Sequence, residues 1–280
     1  MKSIIVFYHK DCPDGFGAAF AAWKKFGSTA EYRAVKASQG ADQLGGLKPA
    51  DKDIYFLDVC ASPEVLKNLA TANKSVTVID HHETNRERGG LVTRFIFDVR
   101  HSGSVLAWNY FHTNKKTPWL LRYVEDGDLW KFKLPHSKEI STRYGLFPFA
   151  FKTWDKLMKA MEESSLRVQY GKEGASLLEF EDSIIEGILE NAYEVDFLGH
   201  NARVANTSVV HSQVGNLLID KKHPIGITWY ESGNTRKYSL RSKGSTDVSK
   251  LAERFPGGGG HKHAAGFTLP TARKFPWRVL

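Results

Sequence analysis

The chain has 280 residues, 41% of them hydrophobic and 25% charged, a balance that excludes a disordered or collagen-like polymer. Two cysteines, Cys12 and Cys60, with no CxxC spacing, exclude a disulfide scaffold and a cysteine-based zinc site, and the default setting is a reducing, cytoplasmic one. The net charge of +8 suits an anionic partner such as a nucleotide or nucleic acid, although a basic surface that only keeps a protein soluble carries the same sign.

Residues 4–8 (IIVFY) read as a buried strand that runs into His9, not as a signal peptide. No stretch approaches the roughly 18 apolar residues of a membrane helix, and no basic amphipathic helix suggests a membrane surface. Residues 15–26 are Ala-rich and helix-compatible. Residues 53–59 (DIYFLDV) form an apolar run, after which Ser62, Pro63 and Glu64 supply the N-cap, first position and first-turn acid of a helix. Residues 76–79 (VTVI) are β-branched and end at Asp80.

This strand–helix–strand rhythm predicts a parallel, helix-covered sheet. Three times a hydrophobic strand runs into acids or histidines, and open α/β sheets bind ligands at the carboxyl ends of their strands. His9, Asp11, Asp14, Asp58, Asp80, His81 and His82 are therefore expected along one edge. Hard divalent ions take carboxylate oxygens and borderline ones also take imidazole, so this inventory suits a site with two metal ions. A single Asp after a strand is ordinarily a cap or turn residue, and it is the joint occurrence that favours metal binding.

Further along, Ser102-Gly103-Ser104 is read as the cap of a helix over 105–111. Thr117-Pro118 opens another helix to about 125, which Asp126-Gly127-Asp128 is expected to break. Residues 151–194 look mostly helical, and 175–190 read as a connector with a solvated acidic face. From about 202 the pattern turns to β segments (ARVANTSVV, PIGITWYES, TRKYSLRSK). A short helix (VSKLAERF) follows, and then PGGGGHKHAAGF. Backbone without Cβ atoms lets N–H groups approach a phosphate or a base, whereas Ala264-Ala265 is read as a helix start. The expected architecture is α/β in two domains: a parallel-sheet catalytic domain over 1–150, a helical connector over 151–195 and a smaller mixed α/β substrate-binding domain over 196–280.

Five motifs in order carry a resemblance. They are His9-Lys10-Asp11-Cys12-Pro13-Asp14-Gly15, Leu57-Asp58, Asp80-His81-His82, Val124-Glu125-Asp126-Gly127-Asp128-Leu129-Trp130, and the Gly257–Gly260 run with His261-Lys262-His263-Ala264-Ala265-Gly266-Phe267. Together with Tyr238-Ser239-Leu240-Arg241-Ser242, they resemble the DHH phosphoesterase superfamily with its DHH-associated C-terminal domain, in the branch of nanoRNases and related phosphodiesterases.

The resemblance implies two divalent ions, commonly manganese, with magnesium as the alternative. His9 and Asp11 would hold one ion and Asp14 the other, with Asp58 bridging. His81 and an Asp of the fourth motif, Asp126 in preference to Asp128, would complete the second ion. His82 would face the substrate phosphate as a catalytic residue beside Asp58, and Asp80 would orient the imidazoles. Arg241, Ser242, Gly258, Gly259, Gly260 and His261 would bind substrate.

One departure stands out: two residues, not one, separate Asp11 from Asp14, which leaves the role of Asp11 open. Cys12 is read as a small buried filler or a thiol near the metal. Trp130 and Phe132 are read either as base-stacking rings or as core residues. The reaction implied is hydrolysis of short RNA or linear dinucleotides to mononucleotides by a metal-activated water. Polyphosphate or pyrophosphate hydrolysis and a non-catalytic nucleotide-binding module are the competing readings. The oligomeric state stays open, a dimer included.

Overall fold

The computed structural model describes residues 2–36, 44 and 46–280. It divides into two compact units, Met1–Leu178 and Glu179–Leu280.

The first unit is built on a five-stranded, wholly parallel sheet in the order β2-β1-β3-β4-β5, with β1 Ile4–His9, β2 Ala30–Val35, β3 Asp53–Leu57, β4 Ser75–Asp80 and β5 Arg94–Phe97. Helix α1 (Pro13–Phe26) links β1 to β2, and α2 (Pro63–Ala72) links β3 to β4. The central strands are apolar throughout because both faces are covered. Ile5, Phe7, Ile54, Phe56, Val76 and Val78 pack with Leu66 and Leu69 of α2. Val6, Leu57 and Ile79 face the other way into a core with Phe16 and Phe20 of α1, with α3 (Gly103–Phe111) and with α4 (Trp119–Asp128). Ser62 caps α2 by accepting from Val65 N, and Ser102 caps α3 by accepting from Val105 N, as their sequences suggest. Helices α5 (Ser137–Tyr144) and α6 (Phe151–Glu162) complete the covering, and α7 (Ser164–Glu190) runs on from them.

One sequence reading needs correction in this unit, and two strands escaped the sequence reading. Asp126-Gly127-Asp128 does not break the fourth helix but forms its last turn. Strands β2 and β5 carry no strong apolar signal because they lie at the sheet edges, where most of their residues stay partly exposed.

The second unit has a seven-stranded mixed sheet in the order β10-β11-β9-β8-β7-β6-β12, with β6 Tyr193–Phe197, β7 His200–Asn206, β8 Ile225–Ser232, β9 Thr235–Ser242, β10 Gly259–His261, β11 Ala264–Pro270 and β12 Arg278–Val279. Only the β7–β8 pair is parallel; α8 (His211–Leu217) joins these two strands. Val195, Phe197, Ile227, Leu240 and Phe267 form its core with Val248 and Leu251 of α9 (Val248–Ala252). Here too an expectation is overturned: Ala264-Ala265 opens strand β11, not a helix. His261 pairs with Ala264 across a two-residue turn, and Gly260 pairs with Ala265.

Among the described residues no helix is long and apolar enough to cross a membrane.

Candidate metal centre and the glycine-rich segment

The strand order reverses direction around β1, which lies between β2 and β3, and such a switch point opens a crevice beyond the carboxyl ends of the strands. His9 ends β1, Asp58 follows β3, and Asp80, His81 and His82 end or follow β4. Asp14 sits in the first turn of α1, directly after β1.

The structure brings these side chains into two groups that share Asp58. One is His9, Asp58 and His82, and the other is Asp14, Asp58 and His81; within each, candidate ligand atoms lie within 4.8 Å of one another. Asp58 Oδ2 lies 3.3 Å from His9 Nδ1, and its Oδ1 lies 3.3 Å from His81 Nε2. The Asp58 residue is 1% exposed, and Oδ1 has no hydrogen-bond partner. A buried carboxylate oxygen left without a donor is costly unless a cation meets it. The donor set, imidazole and carboxylate around an orphaned oxygen, fits a divalent ion.

The surrounding contacts orient these groups. The Asp14 carboxylate accepts from Gly103 N at 2.7 Å and Ser104 N at 3.0 Å, the free amides at the start of α3. Asp80 Oδ1 accepts from the backbone of His81 and His82 and lies 2.7 Å from His82 Nδ1, while its Oδ2 accepts from Asn85 Nδ2 at 2.6 Å. That is the place of a carboxylate that steers an imidazole. Glu125 holds the next loop, with its Oε2 3.0 Å from His101 Nδ1 and accepting from Ser102 N. Asp58 itself adopts φ +57°, a left-handed conformation that Asp tolerates better than most residues.

The charges are strongly coupled. Burial and the neighbouring Asp58 raise Asp14 to about 6, with His81 acting the other way. Burial opposes ionisation of Asp58, yet His81 and His9 outweigh it and hold the carboxyl well below the usual range. Burial would lower both imidazoles, but Asp58 raises His81 to about 9, and Asp80 with Asp58 raises His82 to about 10. Burial together with Asp58, Asp14 and Asp128 pushes the Cys12 thiol well up, so this side chain feels the same carboxylates as a neutral group.

The remaining sequence candidates separate. Asp128 Oδ2 lies 3.6 Å from His81 Nε2, and burial with Asp14 and Asp58 raises its carboxyl well above the ordinary value. Asp126, the residue favoured from sequence, faces elsewhere: it accepts from Lys133 N, Leu134 N and Ser137 Oγ and shapes the loop after α4. Asp11 is exposed at φ +57° and belongs to neither group. His82, expected beside the substrate, sits inside the first group.

Sequence reasoning missed Gly103 as more than a cap. A Cβ there would lie 2.6 Å from Asp58 Cβ and 2.9 Å from Asp14 Oδ2. The Ser-Gly-Ser signal was visible, but its proximity to Asp14 and Asp58 was not.

In the second unit, Gly258 passes so close to the end of α9 that a Cβ would meet Ala252 O at 2.0 Å, and Gly260, at φ +143°, would meet Ala264 O at 2.5 Å. Arg241 is partly buried; its guanidinium donates to Ser212 Oγ at 2.7 Å and Leu240 O at 2.9 Å, and no carboxylate pairs with it among the described residues. Burial lowers its pKa. Ser242 is buried, and its hydroxyl donates to Thr246 O at 2.8 Å with His263 Nδ1 3.1 Å away, so it ties its own loop together.

Comparison with known proteins agrees with this anatomy. Residues 196–276 match the model of the DHHA1 domain. An uncharacterized protein of Acanthamoeba polyphaga mimivirus is 27% identical over 95% of this chain and 67% of its own length. Among solved structures, the DHH domain of a member of a ribosomal protein family superposes with a TM-score of 0.57 at 14% identity, covering 95% of this chain and 82% of that one. An exopolyphosphatase-related protein from Bacteroides fragilis gives 0.49 at 15% identity, over 98% and 88%. The chain thus matches the DHHA1 domain over residues 196–276 and shares its fold with a solved DHH domain.

Proposed function

We propose that the chain is a divalent-metal-dependent phosphodiesterase that hydrolyses short oligonucleotides or linear dinucleotides to mononucleotides. The observation that carries this is the buried Oδ1 of Asp58, which has no hydrogen bond and faces the His81 and His82 imidazoles, in the carboxylate common to both histidine–aspartate groups found among the described residues. On this reading His9, Asp58 and His82 hold one ion, and Asp14, Asp58 and His81, with Asp128 alongside, hold a second; manganese or magnesium fits the donors. Bound there, such ions supply Lewis acidity toward a phosphoryl oxygen and make a coordinated water more acidic.

The chain's own groups then hold and orient. Asp80 fixes the His82 ring through Nδ1, and the amides of Gly103 and Ser104 fix Asp14. No side chain serves as a covalent nucleophile in this reading. In the DHHA1 domain, Arg241 offers a guanidinium with no carboxylate partner among the described residues, which suits a substrate phosphate, and the glycine-rich segment of Gly258, Gly259, Gly260 and His261 offers close backbone approach. Ser242 supports that segment through its hydrogen bond to Thr246 O. A reducing cytoplasmic compartment fits a chain with two cysteines.

The test is purified protein in saturating Mn2+ with a dinucleotide, a 24-mer and polyphosphate. Release of mononucleotides from the dinucleotide, abolished in Asp58→Ala with its circular dichroism retained, is the expected result. Near-normal turnover by Asp58→Ala removes the bridging role. Hydrolysis of polyphosphate alone replaces the phosphodiesterase reading with the phosphoanhydride one, and no hydrolysis of any of the three leaves a binding module.

A further inference from the structure

The loop that follows α4 is built in a way that backbone economy does not explain. Trp130 adopts φ +54° and Phe132 φ +46°, conformations that bulky side chains rarely take and that glycine would fill at less cost. The backbone is held there mainly by Asp126: Trp130 N donates to Gly127 O, but Lys131 N and Phe132 N donate to Asp126 O, and Lys133 N and Leu134 N donate to the Asp126 carboxylate. None of these bonds uses the indole. Strain of this kind persists where the surroundings over-determine it, and it gathers at functional positions.

The product of the strain is a presented ring. Trp130 is 50% exposed, among the few large apolar residues so open to solvent. Phe132 meets it edge-on at 5.0 Å and 75°, and Lys138 lies 5.6 Å from the Phe132 ring centre, so the pair is braced from one side. Two residues earlier is Asp128, 3.6 Å from His81, which puts the Trp130 backbone within about 7 Å of that carboxylate's own backbone. Lys131, between the rings, donates from Nζ to Arg100 O and adds a cation to the same rim.

We propose that Trp130 is a stacking platform for a nucleobase of the substrate, placed so that the base rests on the indole while its phosphate lies at the histidine–aspartate cluster. The proposal rests on the phosphodiesterase reading of that cluster and narrows its substrate class to base-bearing nucleotides. Stacking on an aromatic ring tolerates any base, so Trp130 sets affinity for nucleotides without setting sequence.

The experiment compares a dinucleotide with its abasic counterpart, which has the same sugar–phosphate chain and no bases, in Mn2+. The readout is the ratio of kcat/KM for the two substrates. Trp130→Ala and Trp130→Leu are expected to lower that ratio about tenfold, chiefly through KM for the dinucleotide. Trp130→Phe, which restores a π face, is expected to recover most of it. Trp130→Leu keeps apolar bulk should Trp130→Ala fold poorly. A ratio unchanged in Trp130→Leu overturns the stacking role and leaves the phosphodiesterase reading standing. A wild-type protein that hydrolyses neither substrate overturns both.

Discussion

Asp58, Asp14 and Gly103 meet within a space that leaves no room for another carbon. A Cβ on residue 103 would approach Asp58 Cβ to 2.6 Å, and the amide of that residue already binds Asp14 Oδ2. Gly103→Ala is therefore expected to displace one or both carboxylates. It should cost about 1–3 kcal/mol of stability as an overpacked site and weaken metal binding at the same time. Denaturant unfolding and a metal titration on the same preparation check this, and an alanine variant with unchanged stability and metal affinity would show that the pocket relaxes. At this scale the sequence was informative about residue type and silent about direction. His9, Asp14, Asp58, His81 and His82 were legible because each stands at or just past the end of a strand or opens the helix after it. The choice between Asp126 and Asp128 was not. Two residues apart on a helix point about 200° apart, so which of the two faces His81 turns on α4 continuing through Gly127, which its composition argued against.

The elements deliver charge to the site in a fixed pattern. Strands β1, β3 and β4 each end in, or lead directly into, an imidazole or a carboxylate, and the start of α3 steadies one of the carboxylates. With His81 raised to about 9 and His82 to about 10, both rings carry protons at pH 7 when no ion is bound. Ligation needs neutral imidazole, so metal binding is expected to release protons and to tighten as pH rises from 6 to 9. Calorimetric titration in two buffers of different ionisation enthalpy measures that release; identical heats in both would contradict it. In the metal-free protein the sign for stability is the opposite. A folded-state pKa above the ordinary 6.5 adds stability that is complete below that value and is lost as pH climbs through about 9 and about 10. The buried strands and capped helices were readable from apolar runs and from Ser62 and Ser102. The edge strands β2 and β5, half exposed, lack the apolar density that announces a strand. Ala264-Ala265 misled because small residues suit a tight hairpin as well as a helix.

Across the whole molecule, 39 Lys and Arg against 31 Asp and Glu give the net charge of +8. A field of that sign draws in polyanions in proportion to their charge and is screened by salt. The fall of kcat/KM with ionic strength is expected to be steeper for a hexanucleotide than for a dinucleotide, and equal slopes would remove any role for the overall charge. The sheet order carries a consequence for the birth of the protein. Strand β1 is made before the other described strands but belongs in the interior, with β2 on one side and β3 on the other. At a ribosomal pace of about 5–20 residues per second, several seconds elapse before Asp53–Leu57 can dock. During that interval the oily segment Ile4–His9 has one flank open, an invitation to chaperones and to neighbouring nascent chains alike.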